Sequence, residues 1–209
     1  GDWVEVRSKE DILGSLDSAG QLEAMPFMPE MFAFVGKRFQ VSKRAHKTCD
    51  PVHGNDGRRM PRAVHLEDLR CDGSAHDGCQ AGCLLYWKET WLKAVDGPLS
   101  SGLIVPSDRT SPPGQNRSGA CTEQDIHDSI RTRANGDAEI SYVCQATRVA
   151  AATTHIPWWD IGQYVEDYAS GNVRLPQMLR SLGSEVIHQL ATSGLGFGSV
   201  VRMIYDTIQ

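Results

Sequence analysis

Apolar and polar residues alternate at the start of the chain, with Trp3, Val4 and Val6 set against Glu5 and Arg7, and this predicts a strand over residues 2–8. Ser8-Lys9-Glu10-Asp11 then has the pattern of a helix N-cap followed by acids in the first turn. Ile12, Leu13 and Leu16 supply an apolar helical stripe, and turn residues from Asp17 to Gly20 close it. Pro26 and Pro29 punctuate an apolar loop that holds Met25, Phe27, Met28, Met31, Phe32 and Phe34. Such a loop is either a core plug or a contact surface. A second strand is predicted from Gly36 through Val41 and on to Lys47, and a short third over Ala63–Glu67. Leu84–Leu92 reads as a helix or a strand, and Trp87 and Trp91, spaced i, i+4, favour a helix with one aromatic face.

Residues 96–120 are rich in Gly, Pro and Ser and read as a linker or long loop. Beyond them, Cys121–Arg133 carries weak helical periodicity, and Ile140–Val149 is strand-like around Cys144. Ile161–Tyr168, Leu175–Leu182 and the apolar Ser199–Ile208 read as helices. The expected class is therefore α+β. A small strand-rich unit over 1–95 is followed by the linker and a mostly helical region over 121–209.

Composition narrows the function classes. The 209 residues, 40% hydrophobic and 22% charged, are those of an ordinary globular protein. A net charge of −5 argues against bulk nucleic-acid binding, which needs a positive face. No apolar run reaches the roughly 20 residues of a membrane helix. The opening Gly1–Val6 lacks the basic head and apolar stretch of a secretory signal, and a cytoplasmic location is expected.

The sharpest chemical feature is the stretch Cys71-Asp-Gly-Ser-Ala-His-Asp-Gly-Cys79-Gln-Ala-Gly-Cys83, with Cys49 upstream. Thiolates at this density bind soft metals, pair as disulfides or do redox chemistry. A four-iron, four-sulfide (4Fe–4S) cluster on Cys49, Cys71, Cys79 and Cys83 is the leading reading, because small residues let backbone N–H groups approach the sulfides. The spacing of seven and then three residues matches none of the common ferredoxin runs. Zinc on the same four cysteines is the alternative, with His76 able to replace Cys49. Disulfides or free thiols are the third possibility. Were Cys71, Cys79 and Cys83 the only ligands of a cluster, one iron would be open as a Lewis acid and the chain would be an enzyme. Asp72 and Asp77, like Asp50, are then candidate bases, although acids in turns need no such explanation. Cys144 is a buried core thiol or a nucleophile beside the metal, and Cys121 is incidental. A zinc-stapled, non-catalytic interaction module is the alternative to the cluster protein.

Two resemblances add to this. Gly1–Val6, the apolar loop with Pro29 and the segment Gly36–Val41 are similar to the opening strands of the SH3-like domain of nitrile hydratase beta subunits. That likeness covers about fifty residues and implies a small SH3-like barrel only. The chain also resembles an uncharacterised bacterial Cys-rich family that pairs Cys49, the Cys71–Cys83 loop, the Trp87–Trp91 segment and Cys144-Gln145-Ala146-Thr147. This likeness implies no activity.

The remaining candidates are weaker. Lys37, Arg38, Lys43, Arg44 and Lys47 form a locally basic run, either a solvated strand face or a dock for an acidic redox or carrier protein. His46 is a surface histidine or an outer-shell donor to the thiols. His155 precedes Pro157-Trp158-Trp159-Asp160, a packing segment or a pocket lining. Gly194–Gly198 lacks the strand and the Lys-Ser/Thr pair of a phosphate loop.

Overall fold

The opening alternation forms β1 (Trp3–Val6), which sends Val4 and Val6 into the core. Ser8 caps α1 (Lys9–Ser15), its side chain accepting the Asp11 N–H, and Glu10 and Asp11 lie in the first turn. The computed structural model describes residues 1–50, 54–98, 121–133, 140–157, 159–178, 180 and 183–184. The sequence predictions for most of 96–120 and for Gly194–Gly198 and Ser199–Ile208 lie outside these residues. The chain divides into two compact units, Gly1–Trp158 and Trp159–Gln209.

In the first unit a small hairpin of β2 (Gln21–Leu22) and β3 (Met25–Pro26) leads into a 3-10 turn, Pro29–Phe34. The apolar loop is a core plug: Met25, Phe27, Met28 and Met31 are all buried. Phe27 packs edge-on against Trp87 and Trp91, with ring centroids 6.3 and 5.1 Å away. Next come β4 (Arg38–Arg44), β5 (Lys47–Asp50), β6 (Gly54–Arg59), β7 (Ala63–Leu66), β8 (Trp87–Lys88) and β9 (Leu92–Val95).

A five-stranded antiparallel sheet has the order β8-β7-β4-β1-β9. The first half of β4 pairs with β1 (Trp3↔Gln40), and its second half pairs with β7 (Arg44↔Val64) past an irregularity between Val41 and Lys43. A 3-10 turn, Glu89–Trp91, carries the chain from β8 at one edge to β9 at the other. Among the described residues the two edges are not hydrogen-bonded to each other, so no closed barrel forms.

Three elements differ from the sequence expectations. Trp87 and Trp91 do not share a helix face. They sit on β8 and in the 3-10 turn, and both are fully buried, because a strand–turn–strand crossing points residues four apart into one core as well as a helix does. The second strand stops at Arg44, where buried Ala45 turns the corner into β5. The strand expected across Cys144 is short. After α2 (Glu123–Ile130), β10 (Arg131–Arg133) pairs with β11 (Ile140–Tyr142), and Cys144 then N-caps α3 (Gln145–Ala152). The Cys144 N–H donates to Thr147 Oγ1 at 3.0 Å, and the alanine-rich run that follows favours the helix. β12 (Thr154–His155) joins β6 and β5 in a three-stranded sheet.

α2 and α3 pack into the same core as the strands, through Ile126, Ile130 and Ala152. Gln145 fixes α3 to the rest. Its Oε1 accepts the Tyr86 N–H at 2.8 Å, and its Nε2 donates to the carbonyls of Tyr86 and Pro26 at 2.9 and 3.0 Å. Gln145→Ala strands these backbone groups in the interior. The expected loss is about 1–3 kcal/mol of unfolding free energy in urea, with the slope against denaturant unchanged; a change within 0.5 kcal/mol would show that water replaces the amide.

The second unit opens on α4 (Ile161–Ala169), capped by Asp160, whose Oδ1 accepts the Gly162 N–H. Residues 175–178 are also helical. On α4, Gln163 and Asp167 are buried while Ile161, Val165 and Tyr168 are exposed. No helix among the described residues is long and apolar enough to cross a membrane.

Candidate metal centre

The Cys71–Cys83 loop is built by its glycines and acids. Asp72 Oδ1 accepts the Ser74 N–H at 2.9 Å in an Asx turn, and hydrogen bonds from the Ser74 side chain and then its N–H hold the carboxyl below the usual carboxylate range. The Gly73 carbonyl accepts the N–H groups of His76 and Gly78 at 3.1 and 2.9 Å. Gly73 has φ +74°, and a Cβ there would lie 2.2 Å from the Cys79 carbonyl oxygen and 2.5 Å from its nitrogen. Only glycine allows this crossing of the chain over itself. At the loop's base, Arg70 and Leu84 form an antiparallel bridge, and the Cys71 N–H donates to the Cys83 carbonyl at 2.8 Å.

This folding turns His76 inward, so that only 8% of it is exposed. Its Nε2 lies 3.5 Å from Cys71 Sγ. The third member is Glu30, in the first turn of the Pro29–Phe34 segment. One donor atom from each of Glu30, Cys71 and His76 falls within 4.8 Å of the other two, the one such group of three among the described residues. Both Glu30 carboxylate oxygens and His76 Nδ1 are buried; no ordinary hydrogen bond meets them among the described residues, although the Cys71 thiol lies close enough to donate to Glu30. Burial, opposed by a hydrogen bond from the Gly73 backbone and reinforced by the Glu30 charge, a hydrogen bond to Glu30 and the Cys83 charge, pushes the Cys71 thiol up to about 12.

The other sequence candidates fall around this group. All six cysteines are free thiols. Cys49, Cys79 and Cys83 are exposed, and none joins the compact group. Cys83 is still close enough for its charge to act on Cys71, and its own thiol is raised by burial first and then by the Cys144 and Cys79 charges. Cys49 lies opposite Gly57 on β5, and its charge acts on the Tyr86 phenol, which hydrogen-bonds to Thr48. Cys144 is half-buried at the head of α3. Asp77 occupies a left-handed turn position at φ +58°, and Asp50 is buried. Cys121 is buried in the core, its thiol raised chiefly by burial. Of the basic run, Lys37, Lys43, Arg44 and Lys47 are exposed, while Arg38 pairs with Glu5 at 3.0 Å. His155 is exposed on β12.

Glu30 is the residue that sequence reading misses. A signal exists: it is the only charge between Met25 and Phe34, in a stretch that is otherwise entirely apolar. An acid kept inside a core plug needs a partner there.

Comparison with known proteins finds no matching family model, no matching curated protein and no matching solved structure.

Proposed function

We propose that this chain binds one zinc-like ion on Glu30, Cys71 and His76, with Cys83 as the fourth donor, and that the ion staples the cysteine loop to the apolar plug. The observation that carries the reading is the convergence of a buried Glu30 carboxylate, the Cys71 thiol and the His76 imidazole within 4.8 Å of one another. An isolated buried carboxylate costs several kcal/mol, and a bound cation removes that cost. Mixed sulfur, nitrogen and oxygen donors suit zinc. The spacing agrees: with zinc–sulfur near 2.3 Å and zinc–nitrogen near 2.0–2.1 Å, two ligands of a tetrahedral ion stand roughly 3.5–3.6 Å apart. Cys71 Sγ and His76 Nε2 are 3.5 Å apart. A thiol–imidazole hydrogen bond would have the same length; the third donor, Glu30, at the same point is what favours an ion.

A closed four-donor site is structural in character. The chain is then a metal-stapled interaction module rather than a hydrolase. The sheet supports an SH3-like reading of the module: a shared central strand pairs on both halves, and a 3-10 turn links the two edges. Six free thiols suit a reducing compartment.

The iron–sulfur reading keeps one specific support, the closeness by which the Cys83 charge acts on Cys71 and the Cys144 and Cys79 charges act on Cys83. Zinc titrations of single variants separate the two. Glu30→Gln and His76→Gln are each expected to weaken zinc more than about a hundredfold, beyond the 10–100-fold that outer-shell changes cost, while Cys49→Ser and Cys79→Ser stay near wild type. If Cys49 and Cys79 prove essential and Glu30 dispensable, the four-cysteine centre replaces this one.

A further inference from the structure

We propose that Cys71 and Cys83 form a reversible dithiol–disulfide pair, a modification site through which a peroxide-class oxidant opens the centre and releases its ion. The register carries the inference. Arg70 and Leu84 are bridged antiparallel, so the next positions inward, Cys71 and Cys83, stand opposite each other and share the Cys71 N–H to Cys83 carbonyl bond at 2.8 Å. Opposite residues of an antiparallel pair have Cα atoms about 4.5–5.5 Å apart and side chains on one face. That separation lies inside the roughly 4.4–6.8 Å window that a disulfide spans. Cys79 and Cys144 have no such register with Cys83 among the described residues.

Exposure sets the order of events. Cys83 is exposed and meets the oxidant, whereas Cys71 is half-buried behind it. The Cys83 thiolate attacks one peroxide oxygen, the O–O bond breaks, and sulfenic acid and hydroxide form. Cys71, a thiol raised by burial, then reacts through its small thiolate fraction, attacking the Cys83 sulfur, forming the S–S bond and expelling a second hydroxide. Two thiolates and one hydrogen peroxide give one disulfide and two hydroxides, the sulfur pair losing the two electrons that the peroxide gains. Both thiolates leave the metal together, and a carboxylate and an imidazole alone hold it weakly. A thiol reductant reverses the change.

The consequence for metal rests on the proposed centre, but the pairing does not, so the test runs on zinc-loaded and metal-free full-length protein. Both are treated with hydrogen peroxide. Zinc release is followed with a chromogenic chelator, and the disulfide is mapped without reduction after cleavage before aspartate. That digestion separates Asp68–Cys71 from the fragment beginning at Asp77 that carries Cys79 and Cys83. The expected product links Asp68–Cys71 to Cys83, one zinc leaves per link, dithiothreitol restores binding, and Cys83→Ser slows release at least tenfold. A link from Cys83 to Cys79 or Cys144, or sulfinic acid at Cys83 with no link, overturns the proposal. If the metal-free protein forms the Cys71–Cys83 link but the protein never binds zinc, the pair stands and the metal centre falls.

Discussion

Replacing Gly73 with alanine is expected to cost the protein its metal while leaving its core folded. A Cβ at this position overlaps the Cys79 backbone at 2.2–2.5 Å, and φ +74° is itself strained for alanine. The strained dihedral costs about 1–3 kcal/mol and the overlap about 1–3 more. The chain relieves this by unwinding the loop, which breaks the Gly73 carbonyl's bonds to the His76 and Gly78 N–H groups. His76 then loses its inward aim. Zinc affinity should fall by more than about a hundredfold. The metal-free variant should melt within a few degrees of metal-free wild type, because the loop touches the core only through partly buried Cys71 and Ala75. Isothermal titration with zinc and thermal melts of both forms check this. Wild-type affinity in the variant would mean that the loop does not position the ligands.

The second large effect belongs to the core. Trp87 is fully buried, edge-on to Phe27 and Phe34 with centroids 6.3 and 6.0 Å away. Trp87→Ala empties that space, and the expected loss is about 3–5 kcal/mol. For a chain of this size that corresponds to a melting temperature roughly 6–20 °C lower. The Trp87 indole N–H is buried and has no acceptor among the described residues. Trp87→Phe removes this unsatisfied donor along with the extra ring, so its cost should be well below that of alanine. Equal losses for the two variants would show that the N–H is satisfied in solution and that ring volume is not what matters.

The sequence carried the local rules well. Ser8 caps α1, the turn at Asp17–Gly20 is where its residues put it, β1 follows its alternation and β7 is the short strand expected at Ala63. The tightness of the Cys71–Cys83 loop was readable too, since Asp72, Gly73 and Gly78 are turn residues used as such. What failed was periodicity over short spans. Trp87 and Trp91 satisfy a helical spacing, yet long-range pairing of β8 with β7 and β9 with β1 overrides it. The Ile140–Val149 run contains both a strand and a helix, divided at Cys144 by a cap to Thr147 that hydrophobic pattern does not encode. The candidate centre was half readable. Cys71 and His76 are close in sequence, whereas Glu30 reaches them only through tertiary folding. Cys49, Cys79 and Cys83 looked equivalent to Cys71 by residue type, but all three are exposed and lie outside the compact group.

Elemental analysis of full-length protein purified without oxygen, quantifying zinc, iron and acid-labile sulfide together, tests the central claim most directly. The account predicts a colourless protein with one zinc per chain and no sulfide, whose zinc is lost in Glu30→Gln. A brown protein with iron and sulfide in near-equal amounts, bleached by dithionite and unaffected by Glu30→Gln, would contradict it.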